Sequence, residues 1–152
     1  TGKFVIEQQY YEVNDFSDGL AAVPLEGKWG YIDRTGKFVI EPKFYIASVF
    51  SDGFAVVKIG EDFGHIDKTG RYLVKPLFDD ALDFCHGIAP VKLDGKWGYI
   101  DKTGQYLIKP QFDDADDFYD GLAAVRLGNK CGFVDKTGQF VIKPQFDSIT
   151  WF

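Results

Sequence analysis

Aromatic and basic side chains recur at regular intervals in this sequence, and together they could bind a ligand. Exposed tryptophan and tyrosine rings stack on sugars or anchor protein partners, and a neighbouring cation adds to such contacts. The same residue types also form cross-strand packing in a β-sheet core, which is the interpretation that we favour. The candidate ligand-binding strip consists of Trp29, Tyr31, Lys58, Phe63, Lys92, Trp97, Tyr99 and Arg126.

Four residues interrupt this regularity and mark where a dedicated active site would have to lie. They are His65, Cys85, His86 and Cys131. A cysteine nucleophile needs a base within hydrogen-bond distance, but neighbours on a strand such as Cys85 and His86 point to opposite faces. Cys131 stands where other copies have tryptophan, and we expect a small buried hydrophobic residue. The sequence therefore predicts no catalytic residue and a protein that is not an enzyme.

Two clusters of aspartate are candidate calcium ligands, since Ca²⁺ takes six to eight oxygen atoms. Their spacing is irregular, and other copies have Asn14-Asp15 and Ser48-Val49 at corresponding positions. Runs of like charge more often lie in solvated loops, so we predict neither a metal site nor a cofactor. The clusters are Asp79, Asp80 and Asp83, and Asp113, Asp114, Asp116, Asp117 and Asp120.

The elements that position these residues come from one motif that repeats every 34 residues. The chain contains five copies of the first sixteen positions and four of the rest, with no separate linker, so residues 1–152 form a single repeat array. The period is fixed by two sets of residues, Gly2, Gly36, Gly70, Gly104 and Gly138, and Phe16, Phe50, Phe84, Phe118 and Phe152.

Turn residues predict the structure of each copy. Dipeptides such as Glu26-Gly27 and Asp94-Gly95 are typical of two-residue hairpin loops, because Gly, Asn and Asp tolerate positive φ. The segment Asp33–Gly36 predicts a turn in which the aspartate carboxylate accepts backbone N–H groups. Each repeat is therefore predicted to be a three-stranded antiparallel meander, with strands near Leu20–Leu25, Trp29–Asp33 and Lys37–Glu41 in the first copy.

Both faces of such a meander are largely apolar. The predicted register places Ala21, Val23, Leu25, Gly30, Ile32, Phe38 and Ile40 on one face and Leu20, Ala22, Trp29, Tyr31 and Val39 on the other. A sheet of three short strands is not stable alone, so the meanders must stack. We favour an open β-solenoid-like stack over a β-propeller, whose blades have four strands in repeats of about 40–50 residues. The connector between meanders fits a short strand or one helical turn equally well.

The sequences KWGYIDRTGKFVIEPKF and KWGYIDKTGQYLIKPQF, which begin at Lys28 and Lys96, resemble the bacterial WG-repeat family, also called KWG repeats. The resemblance covers all 152 residues, although Phe63-Gly64 and Cys131-Gly132 replace the Trp-Gly pair in two copies. It implies β-rich tandem repeats that act as interaction or scaffolding modules. It defines no catalytic or binding residue.

The composition of the chain narrows the classes of partner that we expect. The net charge of −6 argues against a nucleic-acid groove, and no apolar run approaches the roughly 20 residues that cross a bilayer. We predict an all-β, non-enzymatic scaffold for protein–protein interaction or self-assembly, with glycan or cell-wall polymer binding through the repeated aromatic residues as the alternative. The charges Glu7, Glu41, Lys75, Lys109 and Lys143 change sign along the array and favour head-to-tail self-association. The sequence leaves the cellular compartment open.

Overall fold

The structure, a computed structural model, describes residues 14–150. In these residues all the regular secondary structure is β-strand, and turns and bends connect the strands. The chain separates into two compact units, Thr1–Leu77 and Phe78–Phe152. Within the described residues no helix could span a membrane.

Within residues 14–150, each unit contains two antiparallel sheets. In the first unit, sheet 1 consists of β1 (Ala21–Leu25), β2 (Lys28–Ile32) and β3 (Phe38–Phe44), and sheet 2 consists of β4 (Ile46–Ala47), β5 (Phe54–Ile59), β6 (Asp62–Asp67) and β7 (Tyr72–Phe78). In the second unit, sheet 3 consists of β8 (Asp80–Ala81), β9 (Ile88–Leu93), β10 (Lys96–Asp101) and β11 (Tyr106–Phe112), and sheet 4 consists of β12 (Asp114–Ala115), β13 (Leu122–Leu127), β14 (Lys130–Asp135) and β15 (Phe140–Phe146).

The connector between meanders forms a short strand, which settles the choice between a strand and a helical turn. Ile46–Ala47, for example, pairs with Lys58 and Val57 of β5 and so becomes the outer strand of the next sheet. The predicted three-stranded meanders are confirmed, and in sheets 2, 3 and 4 the connector adds a fourth strand. The extra strand is only two residues long. It satisfies its backbone hydrogen bonds by pairing with the next sheet and shows no alternating sequence pattern.

The predicted hairpin loops are confirmed. Leu25 pairs with Lys28 and Leu93 with Lys96, so each loop contains two residues. Asp94 and Gly95 have φ values of 50° and 75°, as a tight turn matching the strand twist requires.

The second predicted turn is also confirmed in every described copy. In the first copy, Asp33 Oδ1 accepts hydrogen bonds from the backbone N–H of Thr35 at 2.8 Å and from its hydroxyl at 2.5 Å. Gly36 closes the turn with a φ of 83°. The Thr hydroxyl and the backbone N–H groups hold the pKa of Asp33 below its usual value of 3.8, and the same is true of Asp101.

These turns give stability a predictable pH dependence. A carboxylate whose pKa is lower in the folded state stabilises the fold above its unfolded pKa, and that contribution is lost as the pH falls through the folded pKa. We therefore expect the melting temperature to fall as the pH drops below about 4, the region of the usual aspartate pKa. Thr103→Val removes the hydroxyl that donates to Asp101 at 2.5 Å and should flatten this dependence. Melting curves from pH 5 to pH 3 that have the same pH slope in both proteins would contradict the assignment.

A bulge lies beside the Trp-Gly pair of β10. Between the pairs Trp97–Phe112 and Tyr99–Ile108, β10 contributes one residue and β11 contributes three. The single residue is Gly98, and a Cβ atom there would lie 2.5 Å from the carbonyl oxygen of Ile108 and 2.6 Å from the nitrogen of Pro110. Glycine is thus required because the bulged strand passes directly over it.

A second irregularity, next to the matching bulge of sheet 1, moves one predicted core residue to the other face. Ile40 pairs with Tyr31, so the prediction that it shares a face with Val23 and Ile32 is wrong. Between the pairs Ile32–Phe38 and Tyr31–Ile40, β3 contains the extra residue Val39, which reverses the alternation of its side chains. Ile40 instead joins the buried cluster that contains Tyr31 and Phe44.

Each sheet consequently has two distinct apolar faces. The tyrosine face of sheet 1 is formed by Leu20, Ala22, Tyr31, Ile40 and Phe44, and the valine face of sheet 2 by Ala55, Val57 and Ile66. These two faces pack together in one buried cluster within the first unit. In the second unit the tyrosine face of sheet 3 packs in the same way on the valine face of sheet 4, which is formed by Ala123, Val125 and Val134. The prediction that the meanders stack is confirmed inside each unit.

Candidate functional site: the tyrosine face and its rim

The two tyrosines of the predicted binding strip are core residues. Tyr31 and Tyr99 are both 0% exposed. The Tyr99 hydroxyl donates to the carbonyl oxygen of Asp116 at 2.6 Å, and its ring lies edge-on to Phe118 with the ring centroids 4.8 Å apart. Burial, and then the nearby carboxylate of Asp116, raise the pKa of Tyr99 above its ordinary value. A ligand at the surface has no access to either ring.

The tryptophan and phenylalanine members of the strip lie at the rim of the same face. Trp97 is buried, whereas Phe63 is half-buried and so is Trp29. Each basic partner lies where the hairpin register predicts. Lys92 pairs with Trp97 and places its Nζ 5.9 Å from the ring centroid, and Lys58 Nζ lies 5.1 Å from the Phe63 centroid. Each is a cation–π contact between neighbouring strands of one sheet. A face of each aromatic ring therefore contacts a lysine of the same sheet.

The last basic residue of the strip has no aromatic partner across the strand. Arg126 is exposed and pairs with Cys131, which is buried. The small thiol leaves a cavity of about 80 Å³ at the position of the missing tryptophan, lined in part by Val125, Cys131 and Ile149. The strip therefore does not continue as a row of aromatic platforms into sheet 4.

Sheet 4 exposes the face that sheet 3 buries. Phe146 is 42% exposed, whereas Phe112, its counterpart in sheet 3, is 0% exposed. Phe133 and Ile142, the counterparts of the buried Tyr99 and Ile108, are half-buried. The tyrosine face of sheet 4 is thus an exposed copy of a surface that elsewhere in the same unit is an interface between sheets. The repeat alignment alone identifies its residues.

The first aspartate of each cluster, Asp79 or Asp113, accepts a hydrogen bond from the backbone of a hairpin loop. Asp79 accepts a hydrogen bond from the N–H of Gly95 at 2.9 Å, and Asp113 accepts one from the N–H of Gly128 at 2.7 Å. The Lys96 ammonium, followed by the Gly128 N–H, holds the pKa of Asp113 below its usual value. Among residues 14–150 there is no group of three or more His, Cys, Asp or Glu side chains placed to hold a metal ion.

The prediction that Cys85 and His86 point to opposite faces of a strand is wrong. The two residues are not on a strand but in a turn that precedes β9, where Cys85 bridges to Ile88. His86 has a φ of 51°, and this left-handed conformation brings its Nδ1 to 3.3 Å from Cys85 Sγ. Asp-Gly at corresponding positions in other copies, such as Asp52-Gly53, was the available signal for this turn.

A family model described as a WG containing repeat matches the chain at residues 1–29, 29–61, 63–97, 97–131 and 132–152. The chain belongs to this WG repeat family. The Trp-Gly pair that names the family has a clear structural role here, because its glycine lies under the bulge and its aromatic residue borders the tyrosine face. No curated protein matches the chain with significant similarity.

Proposed function

We propose that this WG repeat chain is a non-catalytic scaffold that associates with a second copy of itself through the tyrosine face of sheet 4. The single observation that carries the proposal is the exposure of Phe146, at a position that is completely buried in sheet 3. An apolar surface of this kind gains stability when it is covered, since each large apolar side chain removed from water contributes about 1.5–3 kcal/mol.

The interface between sheets inside each unit indicates what would cover this exposed face. The tyrosine face of sheet 3 accepts another WG sheet, and the tyrosine face of sheet 4 presents the corresponding residues. A second copy supplies a WG sheet of the same shape and apolar composition. Two copies that place this face against each other form a closed two-fold dimer. Its contact joins two tyrosine faces, whereas inside each unit a tyrosine face packs on a valine face.

The head-to-tail mode has weaker support. It would need sheet 1 to offer its valine face, but Ala21, Val23 and Ile32 are already buried. The charge row still changes sign, from the exposed Glu41 in sheet 1 to the exposed Lys143 in sheet 4, whereas Glu7 lies outside the described residues.

Glycan binding through the repeated aromatic residues also has weaker support. Sugars stack on ring faces that are open to solvent, but Tyr31, Trp97 and Tyr99 are buried and Lys58 covers Phe63. Trp29, at the rim of sheet 1, is the half-buried indole of the predicted strip.

Light scattering over a range of protein concentrations tests the proposal. We expect a dimer at high concentration, and Phe146→Asp should shift the equilibrium to the monomer because it buries a charge in the contact. The matched control is Val141→Asp, on the same strand at a position that is exposed in sheets 1 and 3 as well, which should leave the dimer intact. A species that stays monomeric overturns self-association, and a mass that grows beyond the dimer overturns the two-fold mode in favour of head-to-tail contact.

A further inference from the structure

The turn before β9 differs chemically from the matching turn in the other copies. Positions 85 and 86 hold cysteine and histidine, whereas the other copies hold Ser17-Asp18, Ser51-Asp52 and Tyr119-Asp120. The backbone is the same in all of them, since Asp18, Asp52 and Asp120 have φ values of 51°, 53° and 49° and His86 has 51°. The turn therefore keeps its geometry while its side chains change.

The two side chains are in contact and reachable from solvent. Cys85 Sγ lies 3.3 Å from His86 Nδ1, Cys85 is half-buried and His86 is exposed. A neutral imidazole nitrogen accepts a proton from a thiol, and the imidazolium that forms stabilises the thiolate. The thiolate is the nucleophilic form of cysteine, so this contact favours reaction at Sγ.

A surface depression borders the pair on the His86 side. Its volume is about 580 Å³, and it is lined by His86, Phe118, Tyr119, Asp120, Gly121 and Lys136. Two acidic and two basic side chains lie around the turn, so their charges offset each other. Asp120 and Lys136 line the depression, Asp83 precedes Cys85 by two residues, and the Lys102 side chain reaches the site of a Cβ on Gly87 at 4.0 Å.

We propose that Cys85 is a site of thiol–disulfide exchange with small disulfides, activated by His86. His86 takes the thiol proton, and the Cys85 thiolate attacks one sulfur of the disulfide. A new S–S bond forms between Cys85 and that half of the disulfide, the old S–S bond breaks, and the other half leaves as a thiolate that takes up a proton. The small disulfide is the oxidant, and no other reactant is needed. This modification is independent of the association proposed above.

Two opposing trends determine how much a lower thiol pKa changes the rate of exchange. Lowering a thiol pKa by one unit raises the thiolate fraction near neutral pH about tenfold, while the nucleophilicity of the thiolate falls about threefold. The net gain is about threefold for each unit. The histidine should therefore change both the rate and the pH at which the rate rises.

Reaction with 4,4′-dithiodipyridine in the folded protein is the test, with release of the pyridine thione as the readout. Cys131→Ser should retain the fast phase, because Cys131 is buried, and Cys85→Ser should lose it. His86→Asn, which suits the left-handed conformation, should slow the fast phase about threefold at pH 7 and move the rise of the pH–rate profile to higher pH. His86→Asp restores the residue found in the other copies and should slow it at least as much.

Two results would overturn the proposal. One is a His86→Asn protein with the wild-type rate and pH profile, and the other is a fast phase that survives Cys85→Ser. Circular dichroism and the urea midpoint of each variant verify that the fold is retained. Because both replacements at position 86 tolerate positive φ, a change in rate with an unchanged urea midpoint reports on the imidazole and not on the turn.

Discussion

Replacement of Gly98 by alanine is expected to lower the free energy of unfolding by about 3 kcal/mol or more, at the upper end of what overpacking costs. The added methyl group would meet three backbone atoms, the carbonyl oxygen of Ile108 at 2.5 Å, the nitrogen of Pro110 at 2.6 Å and the carbonyl carbon of Lys109 at 2.8 Å. Backbone atoms cannot rotate away as a side chain does. The bulged strand β11 would have to move off β10, and the tyrosine face of sheet 3 would lose its shape.

Gly121→Ala is the matched control in the same unit. Gly121 has a φ of 82° and no atom within 4 Å of the added Cβ, so its replacement carries only the cost of a left-handed conformation, about 1–2 kcal/mol. Urea unfolding of both variants measures the difference. If Gly98→Ala costs no more than Gly121→Ala, the close passage of the bulged strand does not explain the glycine of the Trp-Gly pair.

Replacement of Tyr99 by alanine is expected to cost about 3–5 kcal/mol of stability, as removal of a buried aromatic ring generally does. The ring is completely buried and packs against Phe118, so its loss leaves a cavity between sheet 3 and the elements that cover it. A residue that served only as a ligand platform would give a much smaller loss. Urea unfolding monitored by circular dichroism measures the change.

Two further variants separate the contributions at this position. Tyr99→Phe removes only the hydrogen bond to Asp116, and the loss of this one hydrogen bond should cost about 0.5–1.5 kcal/mol. Tyr119→Ala removes a tyrosine that is 81% exposed and should change stability by less than about 0.5 kcal/mol. An equal loss for Tyr99→Ala and Tyr119→Ala would contradict the assignment of Tyr99 to the core.

Much of the fold was predictable because it depends on short-range chemistry. The Glu26-Gly27 and Asp94-Gly95 dipeptides set both the loop length and the register of their hairpins, and Asp33 closes its turn with side-chain contacts only two residues away. The pairing of Lys92 with Trp97 then follows from counting outward from the loop. Such features need no knowledge of tertiary structure.

Two features that the sequence pattern does not mark depend on contacts between distant segments. The bulge that moves Ile40 to the tyrosine face arises at Val39, where β3 has one residue more than β2, and no local pattern marks the extra residue. The exposure of Phe146 depends on which neighbour covers the sheet, since the same residue type at Phe112 is buried. The contact of Cys85 with His86 was missed because a turn was interpreted as part of a strand. The choice between an open stack and a propeller stays a prediction.

The central claim is that consecutive WG sheets within a unit stabilise each other through the contact of a tyrosine face with the next sheet. A double-mutant cycle on Phe112 of sheet 3 and Phe140 of sheet 4 tests it most directly, because their rings lie edge-on with centroids 6.2 Å apart. Phe112→Leu, Phe140→Leu and the double variant are compared by urea unfolding. We expect a favourable coupling of about 0.5–1.5 kcal/mol between the two rings. A coupling indistinguishable from zero would show that the two sheets do not support each other through this contact, and the account would be wrong.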